Sequence, residues 1–170
     1  VIWFPLLMLL LWSTVRLRAE YRQAQQESAW ARAAEAALLQ SQERNRAIVD
    51  TALDGVITID AAGVITDWNA QATAIFGWAR DEALGRILSE TVIPERDRAA
   101  HNLGLREFLR TGVGPILNRR IEITARHHDG REFPVELSVS PARIGEAYIF
   151  SAFVRDITDR RKAERRLASQ

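Results

Sequence analysis

The chain opens on an uncharged apolar run, and its first charged side chain is Arg16. A helix needs about 20 mostly apolar residues to span a bilayer, and this run is a few residues shorter. The pattern therefore predicts the truncated end of a transmembrane helix over residues 1–16. Arg18 and Arg22 follow directly, and such basic flanks favour the cytoplasmic side for everything downstream. A cleaved signal peptide is the alternative, although no basic segment precedes the apolar run.

The next stretch has the composition of a long helix. Residues 17–52 contain neither glycine nor proline and are rich in Ala, Gln, Glu, Arg and Leu. Residues 17–45 are predicted to form a coiled-coil-like signalling helix, whose weakly apolar seam would suit a parallel dimer. A solvated amphipathic connector is the alternative. The seam consists of Leu17, Tyr21, Ala24, Ser28, Ala31, Leu38, Asn45 and Ala52.

At Gly55 the pattern changes from helical to alternating. Two β-branched segments, 56–60 and 64–68, are predicted to pair as a tight hairpin. Asn69 is expected to cap the helix that follows, and Gly77 is expected to end it. The helices predicted after the hairpin cover residues 70–76, 79–84 and 94–111.

The last of these helices carries Leu105, Phe108 and Leu109 on one apolar face. Three strands are predicted after it, with a turn at 141–145 between the last two. Two strands, helices and three more strands predict an α+β fold, in which short helices cover one face of a five-stranded antiparallel sheet. Residues 159–170 are charged and predict the start of an exit helix. The three strands cover residues 118–126, 132–140 and 147–157.

Composition excludes several kinds of chemistry. The 170-residue chain supports one folded domain with flanking segments, and its net charge of +1 leaves nucleic-acid binding without a global electrostatic basis. The basic residues near the C-terminus alternate with acidic ones, which favours a connector over a nucleic-acid binder. Because the chain has no cysteine, disulfides, thiolate metal sites and flavin–cysteinyl adducts are excluded. We find no catalytic constellation of side chains, so this chain is expected not to be an enzyme.

Four short motifs occur in a characteristic order. They are Ile48-Val-Asp-Thr-Ala-Leu-Asp-Gly-Val-Ile57, Trp68-Asn69 followed by Ile75-Phe-Gly77, His128-Asp-Gly130 followed by Phe133-Pro-Val-Glu-Leu137, and Asp156-Ile-Thr158. Together they resemble the S-box type of PAS domain found in bacterial membrane-anchored sensors. The resemblance covers residues 46–167, and the PAS domain itself is predicted over residues 46–158.

The resemblance implies a sensory, relay and dimerisation module. Its partners would be a second copy of the chain, contacted through the flanking helices, and an output domain in the same polypeptide. The expected whole protein is a sensor histidine kinase of the inner membrane of a bacterium, with the PAS domain in the cytoplasm. A diguanylate cyclase or phosphodiesterase is the alternative output. In such modules the segment Asp156-Ile157-Thr158 couples the sheet to the exit helix, with Asp156 accepting hydrogen bonds and Thr158 capping the helix.

His101 raises the question of haem. It shares a helix face with Leu105 and Phe108, so it is expected to point inward. The surrounding segment resembles the helix of oxygen-sensing haem PAS domains whose histidine coordinates iron. The position where those sensors carry a ligand-contacting arginine falls on Ile121, and a register slip of one residue would exchange it for a neighbouring arginine. The alternative is that His101 only packs or hydrogen-bonds the backbone.

Four aromatic residues are candidates for lining a ligand pocket, although the same residues would also serve as core. Haem and noncovalent flavin are the cofactors that the resemblance leaves open, and an unliganded relay domain is the remaining alternative. No metal site is predicted, because His127 and His128 are expected to be solvated at a turn. The four residues are Trp68, Phe76, Phe108 and Phe150.

Overall fold

The computed structural model describes residues 3–169, and the chain divides into two compact units, Val1–Ala47 and Ile48–Gln170. Helix α1, Trp3–Asp50, is unbroken over 48 residues. One continuous helix therefore contains residues 3–16 of the first segment and all of the second segment, 17–45, which the sequence analysis separated. Val1 and Ile2, at the start of the first segment, lie outside the described residues.

The described side chains of α1 are exposed to solvent up to Ile48. Every such side chain between Arg22 and Ile48 is exposed, and Trp30 is 77% and Leu38 60% accessible. Across residues 3–169, none of the helices combines the length and the apolar character that crossing a bilayer requires. The predicted dimer seam stays a prediction. Its members Leu17, Tyr21, Ala24 and Ser28 have side chains outside the described residues, Ala31, Leu38 and Asn45 are exposed, and Ala52 lies beyond the helix.

The second unit is built on a five-stranded sheet in the order β2-β1-β5-β4-β3, in which all neighbours are antiparallel. The first and last strands of the sequence are therefore neighbours near the centre. This arrangement confirms the predicted α+β fold. The strands are β1 (Gly55–Asp60), β2 (Ile65–Trp68), β3 (Arg120–Arg126), β4 (Glu132–Ile144) and β5 (Ala147–Asp156).

Short helices fill the sequence between β2 and β3, and one more follows β5. Asn69 caps the first of them through a 2.8 Å bond from Ala72 N to Asn69 Oδ1, and Gly77 ends it with a φ of 76°. Both positions were predicted from the local sequence. The helices are α2 (Ala70–Phe76), α3 (Arg80–Ala83), α4 (Leu88–Thr91), α5 (Glu95–Thr111) and α6 (Thr158–Ala168).

The core lies between one face of the sheet, called here the inner face, and helices α2 to α5. Strand alternation places every second residue of each strand on this face. The register pairs Ile57 with Ala152, Val139 with Ala152, and Val135 with Ile123, so these residues share it. The core includes the large side chains of Trp68, Ile65, Val135, Phe76 and Ile57, each no more than 2% exposed.

The structure corrects three details of the sequence-based fold. The turn predicted at 141–145 is wrong, because β4 continues through Pro141 to Ile144 and only Gly145 and Glu146 turn the chain. Helix α4 was not predicted. Leu109 is 37% exposed rather than part of the apolar face of α5, whereas Phe108 is 7% exposed.

Candidate functional site

The junction between β5 and α6 is the first candidate functional feature. Asp156 Oδ1 accepts a hydrogen bond from Thr158 N at 2.8 Å, and Ile157 is 2% exposed. Thr158 is the first residue of α6 and its side chain does not cap the helix, so the predicted division of labour between Asp156 and Thr158 is wrong. The aspartate alone supplies the capping contact. Ile157 N also donates to Pro134 O at 3.2 Å, which ties the junction to β4.

A second feature is the environment of Asn69, for which the sequence predicted only helix capping. The side chain is buried and has four partners. Its Oδ1 accepts from Val56 N and Ala72 N, each at 2.8 Å, and its Nδ2 donates to Val49 O at 2.9 Å and Asp54 O at 3.1 Å. One carboxamide thus holds together the last turn of α1, the start of β1 and the start of α2.

Ion pairs connect α6 to the outer face of the sheet, opposite the core. Arg160 Nη1 lies 3.1 Å from Glu136 Oε2, and Arg160 and Arg161 both pair with Glu122. The hydrogen bond from Arg161 and the charges of both arginines hold the pKa of Glu122 below its ordinary value. The sequence analysis missed these residues, because charges 24 to 39 positions apart meet only after the strand register is known.

His101 lies on α5 with its side chain half-buried. It shares a helix face with half-buried Leu105 and buried Phe108, in keeping with the predicted inward orientation. Its Nδ1 lies 3.3 Å from Asn102 Oδ1. Burial lowers the pKa of His101 below its ordinary value of 6.5, against the opposing effect of the Asn102 contact. A neutral imidazole is the form that binds a metal ion.

The strand register decides which residue of β3 faces the interior. Ile121 pairs with Leu137 and lies on the inner face, whereas Arg120 pairs with Ser138 on the outer face. Arg120 reaches Glu136 at 3.5 Å with 72% of its side chain exposed. Arg119 precedes the strand and is also exposed. Neither Arg119 nor Arg120 therefore points toward the interior of the domain.

The four aromatic residues predicted to line a pocket form two packed groups. Trp68 and Phe76 have ring centroids 5.6 Å apart, and Phe108 and Phe150 have centroids 5.2 Å apart. Their exposed fractions are 0%, 2%, 7% and 4% respectively. All four belong to the buried core cluster, where they pack against neighbouring side chains.

The turn between β3 and β4 is packed more closely than predicted. The prediction that His127 is solvated is wrong, because its side chain is 16% exposed and its Nδ1 lies 3.0 Å from Asp129 Oδ1. His128 is exposed but packs edge-on against Trp78, with ring centroids 4.1 Å apart. The ring of His127 lies so close to Gly77 that a Cβ there would be 2.4 Å from it.

The sequence profile of the PAS fold matches residues 43–157, which is most of the chain. The chain belongs to the PAS family. A PAS-domain crystal structure from Colwellia psychrerythraea shares the fold with a TM-score of 0.59 at 19% identity, covering 69% of this chain and 98% of that one.

Two curated relatives of this PAS domain are a sensor protein and a histidine kinase. The sensor protein FixL of Bradyrhizobium diazoefficiens is 32% identical over 133 residues, covering 78% of this chain and 26% of FixL. The cell-division control histidine kinase PdhS of Brucella ovis is 35% identical over 127 residues, covering 75% of this chain and 12% of PdhS. The chain thus spans a small part of the length of either relative. It is a PAS sensory module of signal transduction, and a PAS domain is not itself catalytic.

Proposed function

We propose that this PAS domain relays a signal through α6 to a histidine kinase output domain of the same polypeptide. The observation that carries the proposal is the junction between β5 and α6, where Asp156 caps the helix that leaves a central strand. A shift of β5 would change the position or the stability of the first turn of α6. Ligand binding, a redox change or motion of α1 could each supply such a shift.

The choice of a kinase output is supported by a relative. PdhS is a histidine kinase by name, and its similarity to this chain covers the PAS region. This similarity favours a kinase over the cyclase or phosphodiesterase alternative. The mechanism requires two protomers, which we propose to meet through α1 and α6. The exposed apolar side chains Trp30, Leu38 and Leu167 are suited to such helix pairing. Attachment to the bacterial inner membrane through residues 1–16 stays a prediction.

The proposal is tested in a chimaera that joins residues 1–170 to the kinase region of a related histidine kinase. Asp156→Ala should change autophosphorylation about fivefold, because losing a capping contact costs about 1 kcal/mol and biases a two-state helix accordingly. Lys162→Ala is the matched control, since Lys162 lies beyond the first turn of α6 and the substitution removes only a weak contact with Asp159 at 3.7 Å. Equal activity of Asp156→Ala and the unmodified chimaera, with folding intact, would remove the junction from the mechanism.

Haem sensing through His101 is a second candidate function. It is favoured by the half-buried, neutral imidazole on the inward face of α5. His101 is the residue that would hold the haem iron, and bound haem would supply the gas-binding or redox chemistry. The packed aromatic residues and the inward Ile121 oppose it, so we place it second. An absorption spectrum after expression with haem available decides: a Soret band that is lost in His101→Ala supports haem, and a spectrum of tryptophan and tyrosine alone refutes it.

A further inference from the structure

A transverse row of charges crosses the outer face of the sheet. The register pairs Glu122 of β3 with Glu136 of β4, and Glu136 with Arg155 of β5. Arg155 in turn makes a bidentate pair with Asp54, just before β1, at 2.8 and 3.2 Å. Four segments that are neighbours across the sheet thus each place a charged side chain at the same level. We call Asp54, Arg155, Glu136 and Glu122 the transverse row.

The transverse row is incomplete without the exit helix. Glu122 and Glu136 lie directly opposite each other, and like charges in this position repel. The side chain of Glu136 is only 14% exposed, so water screens it poorly. Arg160 contacts both carboxylates and Arg161 contacts Glu122. The two arginines of α6 supply both partners of Glu122 and the shorter of the two ion pairs of Glu136, whose other partner is Arg120 at 3.5 Å.

Helix α6 has little else to hold it against the sheet. None of its residues from Thr158 to Ala168 is buried, so apolar packing does not fix its direction. The Asp156 contact fixes only the first turn. The direction in which α6 leaves the domain is therefore set by where Arg160 and Arg161 find their carboxylates.

The same strands also face the core. In β3 and β4, Ile121 and Leu137 point to the inner face, and each is the neighbour in sequence of an outer glutamate. Because side chains alternate along a strand, a displacement of Ile121 or Leu137 moves Glu122 or Glu136 with the same piece of backbone.

We propose that the transverse row is the surface against which the exit helix α6 docks, and that Glu122 and Glu136 are positioning residues that pass movement of β3 and β4 to α6. This inference rests on the proposed relay function for its biological meaning. It adds a second route beside the β5 junction, one that starts from the two strands farthest from β1 in the sheet order.

The test is hydrogen–deuterium exchange of the α6 amides in the chain of residues 1–170. Glu122→Arg should repel both arginines and raise exchange over residues 160–167 roughly fivefold or more, since local opening sets these rates. The double variant Glu122→Arg with Arg161→Glu should exchange more slowly than Glu122→Arg, because it reverses one of the two pairs while Arg160 keeps its pair with Glu136. Glu107→Arg is the matched control, because this exposed carboxylate pairs only with Arg110 on α5.

The salt dependence of α6 exchange gives a second measurement, made on the unmodified chain and compared with Glu122→Arg. Raising the salt concentration to about 1 M shortens the Debye length to about 3 Å, so exchange in α6 should increase in the unmodified chain and not in Glu122→Arg. Unchanged α6 exchange in Glu122→Arg, or failure of the double variant to recover while its circular dichroism stays native, would overturn the proposal. Exchange reports only on the attachment of α6. A negative result in the kinase chimaera would therefore count against the relay function and leave this result standing.

Discussion

Replacement of Asn69 by alanine should be among the most destabilising single changes in the PAS domain. The substitution removes four hydrogen bonds at once from a side chain that is 1% exposed. Alanine cannot replace any of them. The backbone groups of β1, α2 and α1 that met at the carboxamide lose their common partner.

The magnitude follows from the two groups that depend on Asn69 Oδ1. Losing the cap of α2 costs about 1 kcal/mol. Leaving the buried N–H of Val56 without an acceptor costs about 1–3 kcal/mol. The carbonyls of Val49 and Asp54 belong to less buried residues, where water can replace the amide. We therefore expect a loss of about 3 kcal/mol in the free energy of unfolding, against a typical total of about 5–15 kcal/mol.

The assay is urea denaturation followed by tryptophan fluorescence, since Trp68 and Trp78 belong to the folded domain. The midpoint should fall while the slope with urea stays constant, as expected when stability changes and compactness does not. Asn102→Ala is the control, because this amide contacts only His101 and its loss should cost less than about 0.5 kcal/mol. A loss below about 1 kcal/mol in Asn69→Ala would refute the view that this carboxamide holds the three segments together.

Two further predictions follow. Gly77→Ala and Gly85→Ala both place a side chain on a backbone with positive φ, at 76° and 80°, but only the first meets the ring of His127, at 2.4 Å. We expect the free energy of unfolding to fall by about 1–2 kcal/mol in Gly85→Ala and by clearly more in Gly77→Ala. Equal losses in thermal or urea unfolding would show that the ring of His127 moves aside at no cost. The second concerns His101, whose pKa in the folded protein lies below its ordinary value because of burial. The unfolded chain then binds the proton more readily than the folded one. The free energy of unfolding should therefore fall as the pH drops from the unfolded pKa of about 6.5 toward the folded pKa. This part of the pH dependence should be absent in His101→Gln, and identical pH profiles of the two proteins would contradict the prediction.

Sequence reasoning succeeded where the determining interactions are local. Asn69 and Gly77 bound α2 as predicted, because a cap and a left-handed glycine act within one turn. The alternation of apolar residues in β4 likewise follows from strand geometry alone. Pro141 was misleading for a physical reason: β3 reaches no farther along β4 than Ser138, so Pro141 lies on an edge where its missing N–H costs no ladder bond.

The remaining features depend on tertiary contacts. Helix α4 has only four residues and is anchored by the bond from Leu88 N to Gly63 O, which no local pattern reveals. The choice between Ile121 and Arg120 as the inward residue of β3 required the observed register with β4. The pairing of Glu122 with α6 could not be predicted from the sequence either. A helix that carries alternating charges has many possible ion-pair partners until its position against the sheet is known.

The sheet order also bears on how such a domain is gained or lost in evolution. Gly55, where the sheet begins, is paired with Val154, two residues before β5 ends. Adjacent strands lie about 4.8 Å apart, so the domain receives and releases the chain at nearly the same point. Excising it, or inserting another copy, would leave two neighbouring ends to rejoin and would not require the flanking helices to be rebuilt. A fold with this property can be shuffled between proteins, or repeated in tandem, as a self-contained cassette.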